Sequence, residues 1–273
     1  MTIAAGFVSD EGILISADTE YTSGTITQDL KVFPVTLQCC ELLFSGCGDR
    51  ALIGTWKDII CDGISAKKDA HVSMTPDERM EDIKRIIRHE TISLSGQLSQ
   101  NPDALNQTEL LIGVRVRDNS DCVVRLFHAA NATVETIQTY VCIGAGGDIG
   151  NYLCGILYDV RKTLDSLRLV ALYVVHEAKK NAPFCGGSTT SYTLRSVAPE
   201  TPEITTILDD TCMVDVMHLA MHLAVASHDA DTSPERLERD ITAFASRLKQ
   251  IRASVGQPFP PEIQEWIKQQ RKT

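Results

Sequence analysis

The residues with the clearest capacity for chemistry stand near the start of the chain, where MTIAAG places a threonine directly behind the first methionine. A threonine hydroxyl is a weak nucleophile near neutral pH and needs a base within hydrogen-bond reach. An N-terminal α-amine titrates at about 7.7–8.0 and is suited to that task. If Met1 is removed, which a small second residue permits, Thr2 supplies both the nucleophile and the base.

Asp18 and Lys31 are the charged residues that would complete such a site. A lysine ammonium next to the amine favours the neutral form of the amine through like-charge repulsion, and an aspartate next to the lysine keeps the ammonium charged. A simpler interpretation of each residue stays open, because Asp18 ends a predicted strand and Lys31 fits a solvated edge strand.

The composition is that of a globular protein, with 273 residues, 43% hydrophobic and 23% charged. The net charge of -10 argues against nucleic acid or an anionic membrane surface as a partner. No apolar run reaches the roughly 18 residues of a membrane helix, and no signal-peptide pattern follows Met1, so we expect a cytoplasmic protein. The nine cysteines include no CxxC pair and fall mostly in apolar stretches, which predicts small hydrophobic side chains rather than disulfides or a zinc site.

The elements that must position these residues begin with a β-hairpin, predicted from two short apolar runs around the Asp10-Glu11-Gly12 turn. Further along, groups of strands alternate with pairs of helices, which favours an α+β architecture with antiparallel sheets. Strands are predicted at 3–9, 13–18, 31–35, 41–45, 109–117, 122–128, 136–141, 186–196 and 203–208, and helices at 51–64, 76–98, 147–160 and 164–180.

One domain at 2–208, followed by a helical C-terminal extension at 209–273, is the simplest partition. Within the extension, apolar residues recur at three- and four-residue steps in 234–251, which predicts an amphipathic helix. His218 and His222 have the i,i+4 spacing of two metal ligands. The stretch around them is apolar and lacks an HExxH glutamate, so we interpret them as buried or interface histidines and predict no metal site.

Six features resemble, in order and approximate spacing, the proteasome β-subunit and HslV type of N-terminal nucleophile hydrolase. The resemblance covers about residues 2–208 and is that of a bacterial-type member without a long propeptide. It implies a four-layer αββα sandwich. The six features are Thr2, the Ala17-Asp18 pair, Lys31, FSGCGDRAL at 44–52, CIGAGG at 142–147 and CGG at 185–187.

The same resemblance implies roles for individual residues. Thr2 is implied as the nucleophile, Asp18 and Lys31 are implied as the residues that tune its amine, and the backbone N–H of Gly46 is implied as an oxyanion donor. The positions implied for substrate binding are Thr22, Phe33, Phe44 and Gly48.

The leading hypothesis is therefore a threonine peptidase that cleaves peptides or unfolded proteins through an ester on Thr2, without a cofactor, inside a homo-oligomeric ring. Whether an ATPase unfoldase delivers the substrate is left open. Ala145, Asn181 and Cys185 stand where the resembling family has serine, aspartate and serine. A catalytically inactive scaffold subunit, and an N-terminal nucleophile amidohydrolase acting on a nonpeptide amide, therefore remain as alternatives.

Overall fold

The structure is a computed structural model and describes residues 2–23, 25–28, 30–97, 107–118, 121–197, 203–207 and 233–255. The chain forms two compact units, Met1–Asp209 and Asp210–Thr273. The strands described in the first unit are β1 Ile3–Ser9, β2 Gly12–Asp18, β3 Glu20–Ser23, β4 Thr25–Gln28, β5 Val32–Thr36, β6 Glu41–Cys47, β7 Glu109–Arg117, β8 Cys122–Ala130, β9 Thr133–Ile137, β10 Tyr140–Gly144, β11 Thr189–Arg195 and β12 Glu203–Ile207. Its described helices are α1 Arg50–Ala66, α2 Lys68–His71, α3 Pro76–Gln97, α4 Gly147–Leu157 and α5 Leu164–Asn181.

Antiparallel pairing arranges the described strands as two five-stranded sheets and one short hairpin. The first sheet has the strand order β10-β1-β2-β11-β12, and the second has the order β5-β6-β7-β8-β9. The hairpin consists of β3 and β4. The predicted α+β class with antiparallel sheets is confirmed.

Three hydrophobic clusters hold these elements together. One cluster joins α1 and α3 to the second sheet and includes Trp56, Ile83 and Phe127. Another joins α4 and α5 to the first sheet and includes Phe7 and Val174. The third contains side chains from both sheets, on β1, β2, β10 and β11 of the first and β5, β6, β7 and β8 of the second. Because β1 and β2 contribute to two clusters each, nearly every residue of these strands is buried.

The first hairpin brings the start of β1 and the end of β2 next to each other, at the same end of the strands of the first sheet. The tight turn between the strands uses Gly12 at φ +138°, a backbone conformation that favours glycine. The register pairs Ala4 with Ala17. Thr2 and Asp18 therefore lie close together at this end of the strands, as the predicted hairpin requires.

Besides the short helix α2, which is not predicted, the structure differs from the predicted elements in two places. The strand predicted at 136–141 is in fact two strands, because β9 pairs with β8 in the second sheet and β10 pairs with β1 in the first. No strand is predicted at 20–28, yet the chain forms the β3–β4 hairpin there.

The second unit contains the helix α6, Pro234–Val255. Leu237 and Phe244 are partly buried on this helix, and Ile241 is exposed. The segment after Val255 lies outside the described residues. In the part of the chain that the structure describes, no helix is both long and apolar enough to cross a membrane.

Candidate active site

Asp18 is the centre of the candidate site, because its carboxylate binds groups from three parts of the chain. Oδ1 accepts hydrogen bonds from Lys31 Nζ at 2.8 Å and from the backbone N–H of Ile3 at 3.1 Å. Oδ2 accepts a hydrogen bond from the backbone N–H of Gly186 at 3.0 Å. Thr2, which precedes Ile3, is 3% exposed. The side chains of Asp18 and Lys31 are both 0% exposed.

Burial dominates the acidity of both members of this ion pair. Burial raises the pKa of Asp18 above its usual value and outweighs the attraction of Lys31, which lowers it. Burial likewise lowers the pKa of Lys31, against the opposing effect of Asp18. The carboxylate and the ammonium are thus closer to exchanging a proton than an exposed pair would be.

The glycine turn after β10 fixes the backbone of Thr2. Ile3 pairs with Gly144 in the ladder between β1 and β10. Gly144 has φ +87°, and a Cβ at this position would lie 2.2 Å from the carbonyl oxygen of Thr2. A Cβ at Gly146 would lie 3.0 Å from the Cβ of Ile3. The lack of a side chain at Gly144 and at Gly146 therefore lets the turn contact the first residues of β1 directly.

Gly46 lies beside Lys31 at the end of the ladder between β5 and β6, because Val32 pairs with Ser45 in that ladder. Gly48 has φ +105° and lies in the connection from β6 to α1. A Cβ on Gly48 would lie 2.5 Å from a backbone carbonyl oxygen. The structure thus places both glycines at the end of β6, and their predicted roles toward an oxyanion and a substrate stay predictions.

Two of the other residues predicted to bind substrate, Phe33 and Phe44, lie in or beside the hydrophobic core. Phe44 is 0% exposed in the cluster with α1 and α3. Phe33, its partner across the β5–β6 ladder, is partly buried and packs against the same cluster. Thr22 lies in β3, and its side chain lies outside the described part of the structure. A role in substrate binding stays a prediction for all three.

The loop at 185–188 makes contacts that reasoning from the sequence missed. Besides the bond from Gly186 to Asp18, the backbone N–H of Glu20 donates to the carbonyl oxygen of Gly186 at 3.2 Å. The backbone N–H of Ser188 donates to Thr19 Oγ1 at 2.8 Å. A Cβ on Gly186 would lie 2.1 Å from Glu20 Oε2, so any other residue there would require the flexible Glu20 side chain to move. The CGG sequence was the available signal, but it does not reveal the partner.

Three positions that depart from the resembling family have different surroundings. Cys185 lies in the site, where burial and then Asp18 raise the pKa of its thiol to about 11. Asn181 ends α5, where its Nδ2 donates to the carbonyl oxygen of Glu177 at 2.8 Å. Ala145 is partly buried against the cluster with α4 and α5. The Cys185 thiol is therefore protonated at neutral pH, next to the ion pair.

Among the described residues, no group of three or more His, Cys, Asp or Glu side chains is arranged to hold a metal ion. His218 and His222 lie outside the described residues, so their predicted role as buried or interface histidines stays a prediction.

No known protein family and no curated protein matches the sequence. Solved structures do. Anbu from Hyphomicrobium sp. strain MC1 matches with a TM-score of 0.63 and 13% identity over 85% of this chain and 100% of that chain. Anbu from Yersinia bercovieri, described as an ancestral beta-subunit, has a TM-score of 0.65 at 13% identity over 84% and 98%. The Anbu complex from Pseudomonas aeruginosa, described as a helical assembly, has a TM-score of 0.61 at 11% identity over 85% and 98%. The fold is similar to that of the Anbu proteins.

This finding corrects the family resemblance drawn from the sequence. The assignment to the proteasome β-subunit and HslV type, as a bacterial-type member without a long propeptide, is wrong, because the similar structures are Anbu proteins. The motifs behind that assignment are short and correspond to a buried ion pair and glycine turns. Such features specify local geometry rather than one family. At 11–14% identity, the likeness to Anbu establishes the fold alone.

Proposed function

We propose that the protein is an N-terminal nucleophile hydrolase that cleaves peptide bonds, with Thr2 as the nucleophile and its α-amine as the base. The observation that carries this proposal is the shared acceptor Asp18 Oδ1, which binds both Lys31 Nζ and the N–H of Ile3. This oxygen links the charge of the lysine to the backbone directly after the candidate nucleophile.

The mechanism requires removal of Met1 and of anything before it, which frees the α-amine of Thr2. The neutral amine takes the proton from Thr2 Oγ1 as that oxygen attacks the substrate carbonyl carbon. The amine then gives the proton to the leaving group, and water hydrolyses the resulting ester. The Lys31 ammonium favours the neutral amine through like-charge repulsion, and the backbone N–H of Gly46 binds the oxyanion.

The arrangement of the layers supports the same proposal. One pair of helices, α1 and α3, packs on the second sheet, and another pair, α4 and α5, packs on the first. Side chains of the two sheets form a cluster with each other. These three clusters are those expected of a four-layer αββα sandwich, the architecture in which we place the site.

Intact-mass measurement after incubation with a peptide epoxyketone tests the nucleophile, since that reagent reacts with both the hydroxyl and the amine of an N-terminal threonine. We expect one adduct per chain in the wild type and none in Thr2→Ala. Thr55→Ala is the matched control, because it removes the same atoms from an exposed position on α1 and should keep the adduct. The wild type, but not Thr2→Ala, should also hydrolyse peptides.

Other outcomes would contradict the proposal in distinguishable ways. A retained Met1 in purified protein, or a free Thr2 that forms no adduct, would favour a catalytically inactive scaffold. An adduct without turnover of any peptide would favour an amidohydrolase acting on a nonpeptide amide.

We also propose that the protein forms a homo-oligomer, which would confine a peptide-cleaving site. The helical assembly of the Pseudomonas aeruginosa Anbu complex supports this, as do the exposed Tyr152 and Ile156 on α4. Light scattering should give one fixed large mass for a closed ring and a mass that grows with concentration for an open helix. A monomer at all concentrations would contradict the proposal.

A further inference from the structure

A pair of adjacent cysteines lies in the turn between β5 and β6, at the ends of these strands far from the candidate active site. The turn is closed by a hydrogen bond from the N–H of Leu37 to the carbonyl oxygen of Cys40 at 2.9 Å. The Sγ atoms of Cys39 and Cys40 are 3.9 Å apart and hydrogen bonded. Cys39 is 9% exposed, so a small molecule has limited access to its sulfur.

His71 lies next to Cys39. Its Nε2 lies 3.1 Å from Asp82 Oδ2. An ionised carboxylate only accepts hydrogen bonds, so Nε2 carries a proton and donates a hydrogen bond to Asp82. Nδ1 is buried and has no hydrogen-bond partner among the described residues. The imidazole is near enough to Cys39 to lower the pKa of its thiol.

Asp82 is held in its ionised form by the groups around it. Burial alone would raise its pKa, but hydrogen bonds from His71 and Lys67 outweigh burial and lower the pKa. Arg85 adds an ion pair at 3.0 Å. The carboxylate therefore orients the imidazole throughout the neutral pH range.

Arg79 fixes the cysteine turn against the segment that carries His71. Its Nε donates to the carbonyl oxygen of His71 at 3.1 Å, and its Nη1 donates to the carbonyl oxygen of Cys39 at 3.5 Å. The guanidinium also places a permanent positive charge beside the two thiols. Cys39, His71 and Asp82 are thus linked by contacts from three separate segments.

The two adjacent thiols differ in acidity. The hydrogen bond with Cys40 lowers the pKa of Cys39 most, and His71 lowers it further, against burial. The contact with Cys39, together with burial, raises the pKa of Cys40, which keeps its proton. Burial raises the pKa of the more exposed Cys61 to about 11 and also raises that of Cys122. A thiolate and a thiol therefore stand side by side in this turn.

We propose that Cys39 and Cys40 form a redox site that reacts with hydroperoxides. The Cys39 thiolate attacks the terminal peroxide oxygen, the O–O bond breaks, and the leaving alkoxide, or hydroxide in the case of hydrogen peroxide, takes a proton to become an alcohol or water. Two electrons pass from sulfur to peroxide, which leaves a sulfenic acid on Cys39. The Cys40 sulfur then attacks the Cys39 sulfur, the S–O bond breaks, and the Cys40 proton leaves with the hydroxyl as water. The product is a disulfide between adjacent residues.

This product should be reduced again easily. The sulfurs are 3.9 Å apart and must approach to about 2.05 Å to form it. Adjacent Cα atoms are about 3.8 Å apart, closer than in most disulfides, and such strained bonds are the labile ones.

The test treats the full-length protein with hydrogen peroxide at neutral pH, blocks remaining thiols with N-ethylmaleimide, and follows each cysteine peptide by mass. We expect the Cys39–Cys40 peptide to lose two hydrogens before Cys61 or Cys122 changes, and dithiothreitol to reverse the loss. Cys40→Ala should stop at the sulfenic acid, which dimedone captures. Cys61 and Cys122 are more exposed than Cys39. If they were oxidised first, exposure and not acidity would control the reaction, which would overturn the proposal.

The role of His71 has its own control. His71→Gln should slow the oxidation of Cys39 about tenfold or more, since less thiolate is present, whereas His89→Gln, at an exposed position of α3, should leave the rate unchanged. Alkylation of the wild type by iodoacetamide against pH gives an independent readout if His71→Gln fails to fold. Cys39 should then react at lower pH than Cys122. The titratable or charged neighbours that act on the two adjacent thiols are Cys61, His71 and Arg79. Equal pH profiles for the two thiols would contradict the proposal.

Discussion

Asp18 and Asp82 are both buried carboxylates beside a cation, yet their acidities shift in opposite directions. Asp18 is 0% exposed, and burial outweighs its attraction to Lys31, so its pKa rises. Asp82 is 3% exposed, but the hydrogen bonds that it accepts from His71 and Lys67 outweigh burial, so its pKa falls.

The difference lies in the contact that each set of partners keeps with water. The Lys31 side chain is fully buried together with Asp18, so both charges lose their hydration. Lys67 and Arg85 remain largely in solvent while they reach Asp82, so their charges are not desolvated. Asp18 thus depends on one equally buried cation and two backbone N–H groups, whereas Asp82 combines the buried imidazole of His71 with two cations that stay in contact with solvent.

The largest expected effect on stability comes from removing the lysine that pairs with each of the two carboxylates. Lys31→Met leaves the Asp18 carboxylate buried without its countercharge, which should lower the free energy of unfolding by about 3–5 kcal/mol. Lys67→Met is the matched control and should cost less than about 1 kcal/mol, because Lys67 is half exposed and Asp82 keeps His71 and Arg85. Urea unfolding measures both. Equal costs would show that burial does not distinguish the two carboxylates.

The next effect separates the geometry of Thr2 from the charges around it. Gly144→Ala would put a Cβ 2.2 Å from the carbonyl oxygen of Thr2 at φ +87°, which should cost about 1–3 kcal/mol of stability. The displaced Thr2 should also lower peptide turnover about 100-fold. Gly54→Ala is the control, since a Cβ there meets nothing within 4 Å and an alanine in a helix should stabilise by up to about 1 kcal/mol.

If Gly144→Ala kept full turnover, the turn after β10 would not position Thr2. The ion pair between Asp18 and Lys31 would then be the remaining candidate for the feature that positions Thr2. Tryptic or urea stability measured alongside turnover keeps loss of fold apart from loss of activity.

Much of the first sheet follows from the sequence. The apolar runs at 3–9 and 13–18, separated by the turn at 10–12, predict a hairpin, and the structure has β1 and β2 there. That hairpin brings Thr2 close to Asp18 without any long-range information. The contact to Lys31 rested on a resemblance, and the bond from Gly186 depends on a loop that reaches β2 from the far end of the unit.

The cysteine turn shows what the sequence pattern leaves out. Cys39 and Cys40 are in an apolar stretch, and the expectation that they are small hydrophobic side chains agrees with their place in the cluster under α1 and α3. Their chemistry depends on His71 and Asp82, which come from α2 and α3. No local pattern links these residues, because helix packing on the second sheet brings them together.

The smallest expected effect concerns how the stability contributed by each carboxylate changes with pH, since the direction of this change differs between Asp82 and Asp18. The pKa of Asp82 is lower in the folded protein than its usual 3.8, so the folded state binds fewer protons than the unfolded chain between these two values. The stabilisation by this carboxylate is therefore complete above about pH 4 and is lost as the pH falls through the folded-state pKa. The raised pKa of Asp18 acts in the opposite sense, because protonation there relieves a penalty of burial as the pH falls.

Asp82→Asn isolates the contribution of the Asp82 charge to the pH dependence of stability. The substitution keeps an oxygen that accepts from His71 but removes the charge, so it should cost about 1–2 kcal/mol at about pH 6. The gap to the wild type should narrow as the pH falls below about 4, because the unfolded wild type then takes up a proton at Asp82 that the folded carboxylate resists. Asp58→Asn, at an exposed position on α1, is the control and should show a gap near zero throughout. Urea midpoints at each pH provide the measurement. A gap for Asp82→Asn that widens toward low pH would mean that Asp82, like Asp18, is harder to ionise in the folded protein, and the contrast between the two carboxylates would be lost.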